Sequence, residues 1–279
     1  MSRSSTGEMP ELVVSSLGSG SNGNAFLIEF DTTRILLDCG VPIRTLLACL
    51  AHRFITPADL SAILISHEHI DHMRSLTQLL KRSDLPVLAT YGTIAGIEHL
   101  DRAETSVVKP LEAFEIGPIE ITPVPVSHDA REPVGFFARS MAGSVALFTD
   151  LGEYSDDNLE FAARADHLVI ESNYDESMLR AGRYPAHLKR RIRSADGHLS
   201  NDDCATFLCE IVSQKTRDIW LCHLSENNNR PENAERTSVE ALQKRGVHRS
   251  ISALPRYDGT VKTWRSSQQS HQTEQTRLF

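Results

Sequence analysis

The sequence predicts an α/β fold, and three observations carry that expectation. Short apolar runs, among them Ala62–Ile65 and Ile119–Val126, read as buried strands. Between such runs lie stretches with apolar residues three and four apart, such as Ile43, Leu46, Leu47 and Leu50, which read as helices. The polar stretch Ser66-His67-Glu68-His69-Ile70-Asp71-His72 falls where one strand ends and a helix begins, a usual place for a site in an α/β fold.

Composition bounds the class. A chain of 279 residues can bury a full core, as one large domain or two small ones. Hydrophobic content of 40% and charged content of 24% are ordinary for a soluble globular protein. No stretch approaches 18 uninterrupted apolar residues, so no membrane span is expected. The opening residues contain no apolar h-region, so no secretory signal is expected. The five cysteines (Cys39, Cys49, Cys204, Cys209, Cys222) are odd in number and include no Cys-x-x-Cys pair. Both points fit reduced thiols in the cytoplasm. A net charge of −8 argues against a protein that coats nucleic acid, while leaving room for a local basic track.

In chain order, residues 1–10 are small and polar and expected to be disordered. Residues 11–15 and 25–30 read as the strands of a hairpin across Leu17-Gly-Ser-Gly-Ser-Asn-Gly-Asn24. That loop is richer in Gly and Asn than a tight turn requires. It is either a flexible connection or a nest of N–H groups for a phosphate. No helix starts there, so a dinucleotide fingerprint is not supported. Residues 34–40 read as a strand ending in Asp38 and Gly40, and 42–53 as a helix. Thr56-Pro57 is a helix-start signal.

The polar stretch then places three imidazoles and two carboxylates between His67 and His72. His67 and His69 are two apart, so in extended geometry they point to one side. Asp71 and His72 fall at the turn and reach a second point. That is the layout for two metal ions about 3.5–4 Å apart. Imidazole and carboxylate donors suit Zn, Mn or Fe. The competing reading is a charged helix N-terminus with surface histidines; the buried strand behind the cluster weighs against it. A helix is expected from Asp71 to Arg82, with Met73, Leu76, Leu79 and Leu80 on one face. Strands at 86–90, 105–109 and 119–126 and a helix at 92–100 continue the alternation.

His128 follows a β run and, taken alone, reads as a loop histidine. Residues 133–139 and 144–149 form a hairpin ending at Asp150, which either caps the next helix or serves a site. Six Lys/Arg occur from Arg180 to Arg193, with no acid between Glu176 and Asp196. This is a solvated basic helix or a track for a phosphate backbone. Tyr184 within it is placed to stack on a base. Ser200 or Asn201 caps a helix reaching about residue 213, with His198 just ahead as a loop histidine, a phosphate ligand or a proton donor. A strand at 218–222 delivers His223, and Cys222 points to the opposite face. An amphipathic helix at 231–245, a final strand at 247–254 and a disordered Gln/Ser/Thr-rich tail at 266–279 complete the reading.

His67-x-His69-x-Asp71-His72 resembles the signature of the metallo-β-lactamase-fold hydrolases. Within that superfamily the chain resembles the YycJ/WalJ type, whose members are metal-dependent DNA exonucleases. The shared segments are Ser19-Gly-Ser-x-Gly-Asn24, Ser127-His128-Asp129 with Pro133-Val-Gly135, Glu171-Ser-Asn173, Gly197-His-Leu-Ser-Asn201 and His223-Leu-Ser-x-x-Asn228. They cover about residues 11–255.

The resemblance implies a four-layer αββα sandwich of metallo-β-lactamase type, one domain over 11–265. It implies two divalent ions. His67, His69 and His128 would hold one, and Asp71, His72 and His223 the other, with Asp150 bridging. Asp71 and His198 would act in catalysis. Asp38 and Glu171 would support the ligands without binding metal. Ser21, Asn22, Asn24, Arg183, Lys189, Arg190 and Asn201 would contact substrate. The implied activity is 5′-to-3′ DNA exonuclease action by metal-activated hydroxide. The interval 151–222 is too short for the inserted domain of the β-CASP nucleases. A small-molecule phosphodiesterase or thioester hydrolase of the same fold is the alternative, and the net negative charge is its support. Oligomeric state stays open.

Overall fold

The period of two along the first strands decides the layering. In β1 (Val13–Gly18), β2 (Ala25–Phe30) and β3 (Thr33–Leu37), the side chains of Val14, Phe26, Ile28, Ile35 and Leu37 enter one apolar cluster. Their neighbours Leu17, Leu27 and Leu36 enter another on the opposite face. The structure is a computed structural model that describes residues 10–98, 100, 104–211, 215–256, 259–267 and 274–278.

The first three strands form an antiparallel meander. Helix α1 (Ile43–His52) covers the second cluster with Leu46 and Leu50. The chain continues through β4 (Ala62–Leu64), α2 (Ile70–Met73), α3 (Leu76–Leu80), β5 (Val87–Ala89), α4 (Tyr91–Gly96) and β6 (Thr105–Val107). From β3 to β6 the pairing is parallel. A second sheet begins with the antiparallel strands β7 (Phe114–Ile116), β8 (Ile119–Pro125), β9 (Val134–Ser140) and β10 (Gly143–Phe148). After α5 (Asp156–Ala163) comes β11 (His167–Glu171). Then follow α6 (Glu176–Ala181), α7 (Ala186–Ile192), α8 (Asn201–Ile211), β12 (Asp218–Cys222), α9 (Pro231–Lys244) and β13 (Ser250–Ala253). From β10 to β13 the pairing is again parallel. Finally β14 (Thr260–Arg265) and β15 (Glu274–Arg277) return to the first sheet beside β1.

Among the described residues the two sheets run β15-β14-β1-β2-β3-β4-β5-β6 and β13-β12-β11-β10-β9-β8-β7. The central apolar cluster draws on both, with Phe26, Ile35 and Leu64 facing Phe136, Leu147 and Trp220. Helices α1 and α3 pack on the outer face of the first sheet, and α5, α8 and α9 on that of the second. The result is the expected αββα sandwich. The parallel halves of both sheets point their carboxyl ends at one edge, and the polar residues gather there.

Three local expectations need correction. The helix expected over Asp71–Arg82 is two short helices. Ser75 breaks it: its N–H goes to Cys39 O at 2.9 Å and its Oγ to Val41 O at 2.6 Å. The strand expected to be final is followed by β14, which pairs with β1 and buries Val261 and Trp264. The expected disordered tail contains β15, an exposed edge strand paired with β14. Main-chain hydrogen bonds hold it, so its polar composition carried no signal. The expected disorder of residues 1–9, and of 268–273 and 279, lies outside the described residues. No helix among the described residues is long and apolar enough to cross a membrane.

One buried group ties this core to pH. The His167 ring is fully buried and stacks on Trp264 at 4.8 Å, with its Nδ1–H donated to Asp218 O at 3.1 Å. Burial holds its pKa down at about 3, against an ordinary 6.5; the Asp218 bond opposes this and nearby Lys262 adds to it. The unfolded chain therefore takes up a proton below pH 6.5 that the folded chain refuses. Stability from this group is complete above pH 6.5 and falls as the pH drops toward 3. Between pH 7 and 5 its share of the loss is about 2 kcal/mol. Urea unfolding at both pH values should show that share vanish in His167→Phe; an unchanged pH difference would contradict the assignment.

Candidate metal centre

The centre is built from strand ends. β3 leads to Asp38, β4 to Ser66 and His67, β10 to Asp150 and β12 to His223, and β11 ends at Glu171. Asp38, Asp150 and His223 adopt left-handed backbone, with φ of 58°, 54° and 53°. Non-glycine residues rarely do so, and each costs roughly 1–3 kcal/mol. The sharp turn aims each side chain across the sheet edge. Backbone bonds hold the turns: Asp38 N–H to Leu64 O at 2.8 Å, Cys39 N–H to His72 O at 2.7 Å, and His223 N–H to Ser19 Oγ at 2.9 Å. Gly40 lets the loop after β3 lie directly on the His72 turn. A Cβ there would sit 1.6 Å from Asp71 O.

Two donor groups result, each with ligand atoms within 4.8 Å of one another: His67, His69 and His128, and Asp71, His72 and His223. Asp150 stands between them. Its Oδ2 is 2.9 Å from His72 Nε2 and its Oδ1 3.7 Å from His128 Nε2. Ring hydrogen bonds decide which nitrogen faces inward. The Nδ1 of His72 meets Asp38 Oδ2 at 2.7 Å, and that of His223 meets Glu171 Oε1 at 2.7 Å. The Nδ1 of His128 meets Gly197 O at 3.1 Å, and that of His67 meets Ser66 Oγ at 3.0 Å. Each acceptor takes the Nδ1–H and leaves the Nε2 lone pair for the centre.

Burial agrees with this donor role, while the carboxylates around His72 favour a proton there that a bound cation would displace. His67 Nε2 and His223 Nε2 are buried without a hydrogen-bond partner. Orphaned acceptors are costly unless a cation meets them. Burial, reinforced by the neighbouring imidazoles, pushes the His67 pKa well down. Burial opposes charge on His72 as well, but the Asp150 and Asp38 carboxylates outweigh it and hold its pKa well above the ordinary value. Burial likewise disfavours the Asp150 carboxylate, yet the His223 and His72 charges hold its pKa well down. Imidazole lone pairs around buried carboxylates, with no thiolate, fit a divalent cation of the Zn, Mn or Fe kind.

Asp38 and Glu171 lie where support was expected. Asp38 also accepts the Ser66 N–H and hydroxyl, both at 2.9 Å. Fully buried Glu171 accepts from Leu151 N–H at 2.7 Å and Leu199 N–H at 3.2 Å, and meets His198 Nδ1 at 2.9 Å. It thus links β11, the Asp150 turn, His198 and His223.

A cleft of about 540 Å³ opens over the centre, and His198, Ser21, Asp129, Leu188, Arg191 and Asp196 line it. Of the residues expected to contact substrate, Ser21 is on this wall. Asn22 is exposed beside it and bonds Glu226 Oε2 at 3.2 Å. Asn24 is buried, donating to Gly20 O at 3.2 Å with its Nδ2 3.1 Å from His72 Nε2, so it ties the loop to the centre. Asn201 is buried in an amide network with Ser172 and Asn229. Both asparagines serve structure, because their polar atoms are consumed internally. The basic segment corrects in the same way. Helix α7 turns Leu188, Arg191 and Ile192 to the cleft, while Arg183, Lys189 and Arg190 stay off its wall. Lys189 Nζ instead donates to Arg180 O at 2.7 Å. The missed signal was the apolar i, i+4 pair Leu188/Ile192, which marks the inward face and carries Arg191 with it. Arg191 Nε binds Asp129 Oδ2 at 2.6 Å.

Two packed sheets, strand-end turns and an imidazole–carboxylate cluster define a metal-dependent hydrolase of the metallo-β-lactamase fold. Residues 33–223 match the family model described as a beta-lactamase superfamily domain. Exodeoxyribonuclease YycJ of Bacillus anthracis is 37% identical over 236 residues, covering 82% of this chain and 89% of that protein. Exodeoxyribonuclease WalJ of Streptococcus pneumoniae R6 is 35% identical over 232 residues, 81% of this chain and 86% of that one. Among solved structures, the metallo-beta-lactamase fold protein YhfI from Bacillus subtilis superposes with a TM-score of 0.72 at 17% identity, over 92% of this chain and 99% of that one. The chain belongs to the beta-lactamase superfamily and, within it, to the YycJ/WalJ family.

Two measurements probe the centre. Glu171→Gln keeps the shape but loses the charge that orients His223, so chelator competition should show metal held about 10–100-fold less tightly; wild-type retention would remove Glu171 from this role. Gly40→Ala must displace the Asp71 carbonyl and should lower unfolding stability by more than about 2 kcal/mol.

Proposed function

We propose that the protein is a dinuclear metal-dependent exodeoxyribonuclease that removes nucleotides from the 5′ end of DNA. The observation that carries this is the pair of donor groups joined by Asp150 beneath an open cleft. His67, His69 and His128 would hold one divalent ion and Asp71, His72 and His223 another, with Asp150 as a ligand between them. Identity of 35–37% with proteins called exodeoxyribonucleases, over most of both chains, supports DNA as the substrate.

Divalent ions in such a pair polarise a phosphoryl oxygen and make water acidic enough to supply hydroxide near neutral pH. The chain's own groups do the rest. Asp38, Ser66, Glu171 and Gly197 fix the imidazole tautomers, so the donors are organised before substrate arrives. His198, held through Nδ1 by Glu171, has its other nitrogen available to give a proton to the leaving oxygen. Arg191 offers a cation at the wall for the phosphate backbone, with Asp129 holding it in place. Asn24 and Ser19 brace the glycine-rich loop against His72 and His223.

A small-molecule phosphodiesterase is the second reading. The acids Asp129 and Asp196 on the cleft wall favour it, since they discourage a long polyanion.

End-labelled duplex DNA with Mn²⁺ or Zn²⁺ separates the two. Wild-type protein should release nucleotides stepwise from the 5′ end, and His69→Ala/Asp71→Ala should lose at least a thousandfold in rate while remaining folded. Intact DNA together with rapid turnover of a small diester would transfer the function to the second reading. Arg191→Gln should reduce DNA turnover more than small-diester turnover and flatten its salt dependence. Equal losses on both substrates would remove the backbone contact.

A further inference from the structure

Beside the cleft over the metal donors lies a second cavity of about 450 Å³, and Ser21 belongs to the walls of both. Three separate parts of the chain converge on it: the Ser19–Asn22 turn, the segment after His223 with Ser225 and Asn227, and the side chains of Tyr184 and Arg256. The metal donors and His198 do not reach it.

Its walls carry two kinds of surface. At one end are donors suited to a phosphate. The Ser21 and Asn22 N–H groups have no protein acceptor among the described residues. Ser225 Oγ accepts from Asn228 N–H at 3.3 Å, which leaves its own proton to give. Arg256 is exposed; its Nη2 donates to Ser225 O at 3.4 Å, and it has no carboxylate partner among the described residues. No Lys or Arg of the basic segment lines this cavity; Arg191, which pairs with Asp129, belongs to the neighbouring cleft. Glu226 also lines the cavity, where the Asn22 amide engages it at 3.2 Å. The remaining wall is a half-buried aromatic ring. Tyr184 accepts from Asn227 Nδ2 at 3.0 Å, which steadies its ring as a stacking surface. The floor connects to the centre, because Ser19 Oγ takes the His223 N–H.

Donors at one end and an aromatic ring at the other match the phosphate and the base of a nucleotide. Gly20 has φ of 142°, a backbone conformation that residues with a side chain rarely adopt, so glycine is what allows the turn to bring Ser21 and Asn22 to this wall. Resting on the exonuclease reading above, we propose that this cavity is the subsite for the 5′-terminal nucleotide. Arg256 and the Ser21–Asn22 amides take its terminal phosphomonoester, and Tyr184 stacks on its base. The next phosphodiester along the strand then lies over the metal donors. The enzyme therefore reads the end of the strand as well as its backbone, and a 5′-phosphate end is favoured over a 5′-hydroxyl end.

The test has two arms on the metal-loaded full chain. In the first, duplexes with 5′-phosphate and 5′-hydroxyl ends are digested side by side. Wild type should prefer the phosphate at least tenfold. Arg256→Ala should bring the ratio close to one, and Arg256→Lys should keep part of it. In the second, thymidine 5′-monophosphate and thymidine compete with hydrolysis of bis(p-nitrophenyl) phosphate. The monophosphate should inhibit at least tenfold more strongly, and Arg256→Ala should erase most of that advantage. A monophosphate that binds only at the metal donors would keep its advantage in Arg256→Ala, and that result overturns the subsite. DNA digestion with no end preference in wild type overturns it too, while leaving the exonuclease reading intact. No DNA digestion, with Arg256-dependent inhibition by the monophosphate, overturns the exonuclease reading and keeps the cavity as a nucleotide site.

Discussion

Everything at this edge of the molecule depends on a carboxylate buried between imidazoles. Asp150 brings negative charge to a place shielded from water, against His72 on one side and His128 and His223 on the other. Such a charge is tolerable only with compensation. The two sheets share that task. The first contributes His67, His69, Asp71 and His72 from beyond β4, and the second contributes Asp150 and His223 from β10 and β12. The centre exists only when the sheets are packed, so the chemistry rests on the same apolar cluster that holds the sandwich together.

Strained backbone occurs at the same place. Asp38, Asp150 and His223 take backbone conformations that non-glycine residues avoid. The neighbouring loops repay this with hydrogen bonds that cross the whole edge, from Ser19 to His223, Asn24 to His72 and Glu171 to Leu151. The glycine-rich loop after β1 therefore has two faces. Asn24 and Ser19 look inward and brace the ligands, while Ser21 and Asn22 look outward to the cleft and its neighbouring cavity. A loop that reads as one phosphate nest is a structural brace and a substrate wall in one.

Much of this was legible along the chain. The His67–His72 cluster declares itself because its donors are local and follow a buried strand, and periodicity placed most strands and helices of the two layers but not β7, β14, β15, α5 or α6. The misses have common causes. The helix after the cluster is broken by Ser75, whose partners Cys39 and Val41 are remote in sequence. β15 is held by its partner's backbone alone. Asn24 and Asn201 were read as substrate groups because exposed and consumed amides look alike in a sequence. In the basic segment charge density was visible, but which cation reaches the cleft depends on the rotation of α7, and that picked Arg191 over Lys189 and Arg190.

The sequence by itself determined the fold class and the local cluster His67, His69, Asp71 and His72, because strand periodicity and the cluster are properties of neighbouring positions. His128, Asp150 and His223 drew their assignment from the family resemblance rather than from spacing, since each alone reads as a loop or capping residue. Tertiary structure alone decided which imidazole nitrogen faces the centre, that Asp150 stands between two donor groups, and that a cavity lined by Arg256 adjoins them. These follow from side-chain directions and from hydrogen bonds between segments far apart in the chain, which exist only once the two sheets have closed on their common core.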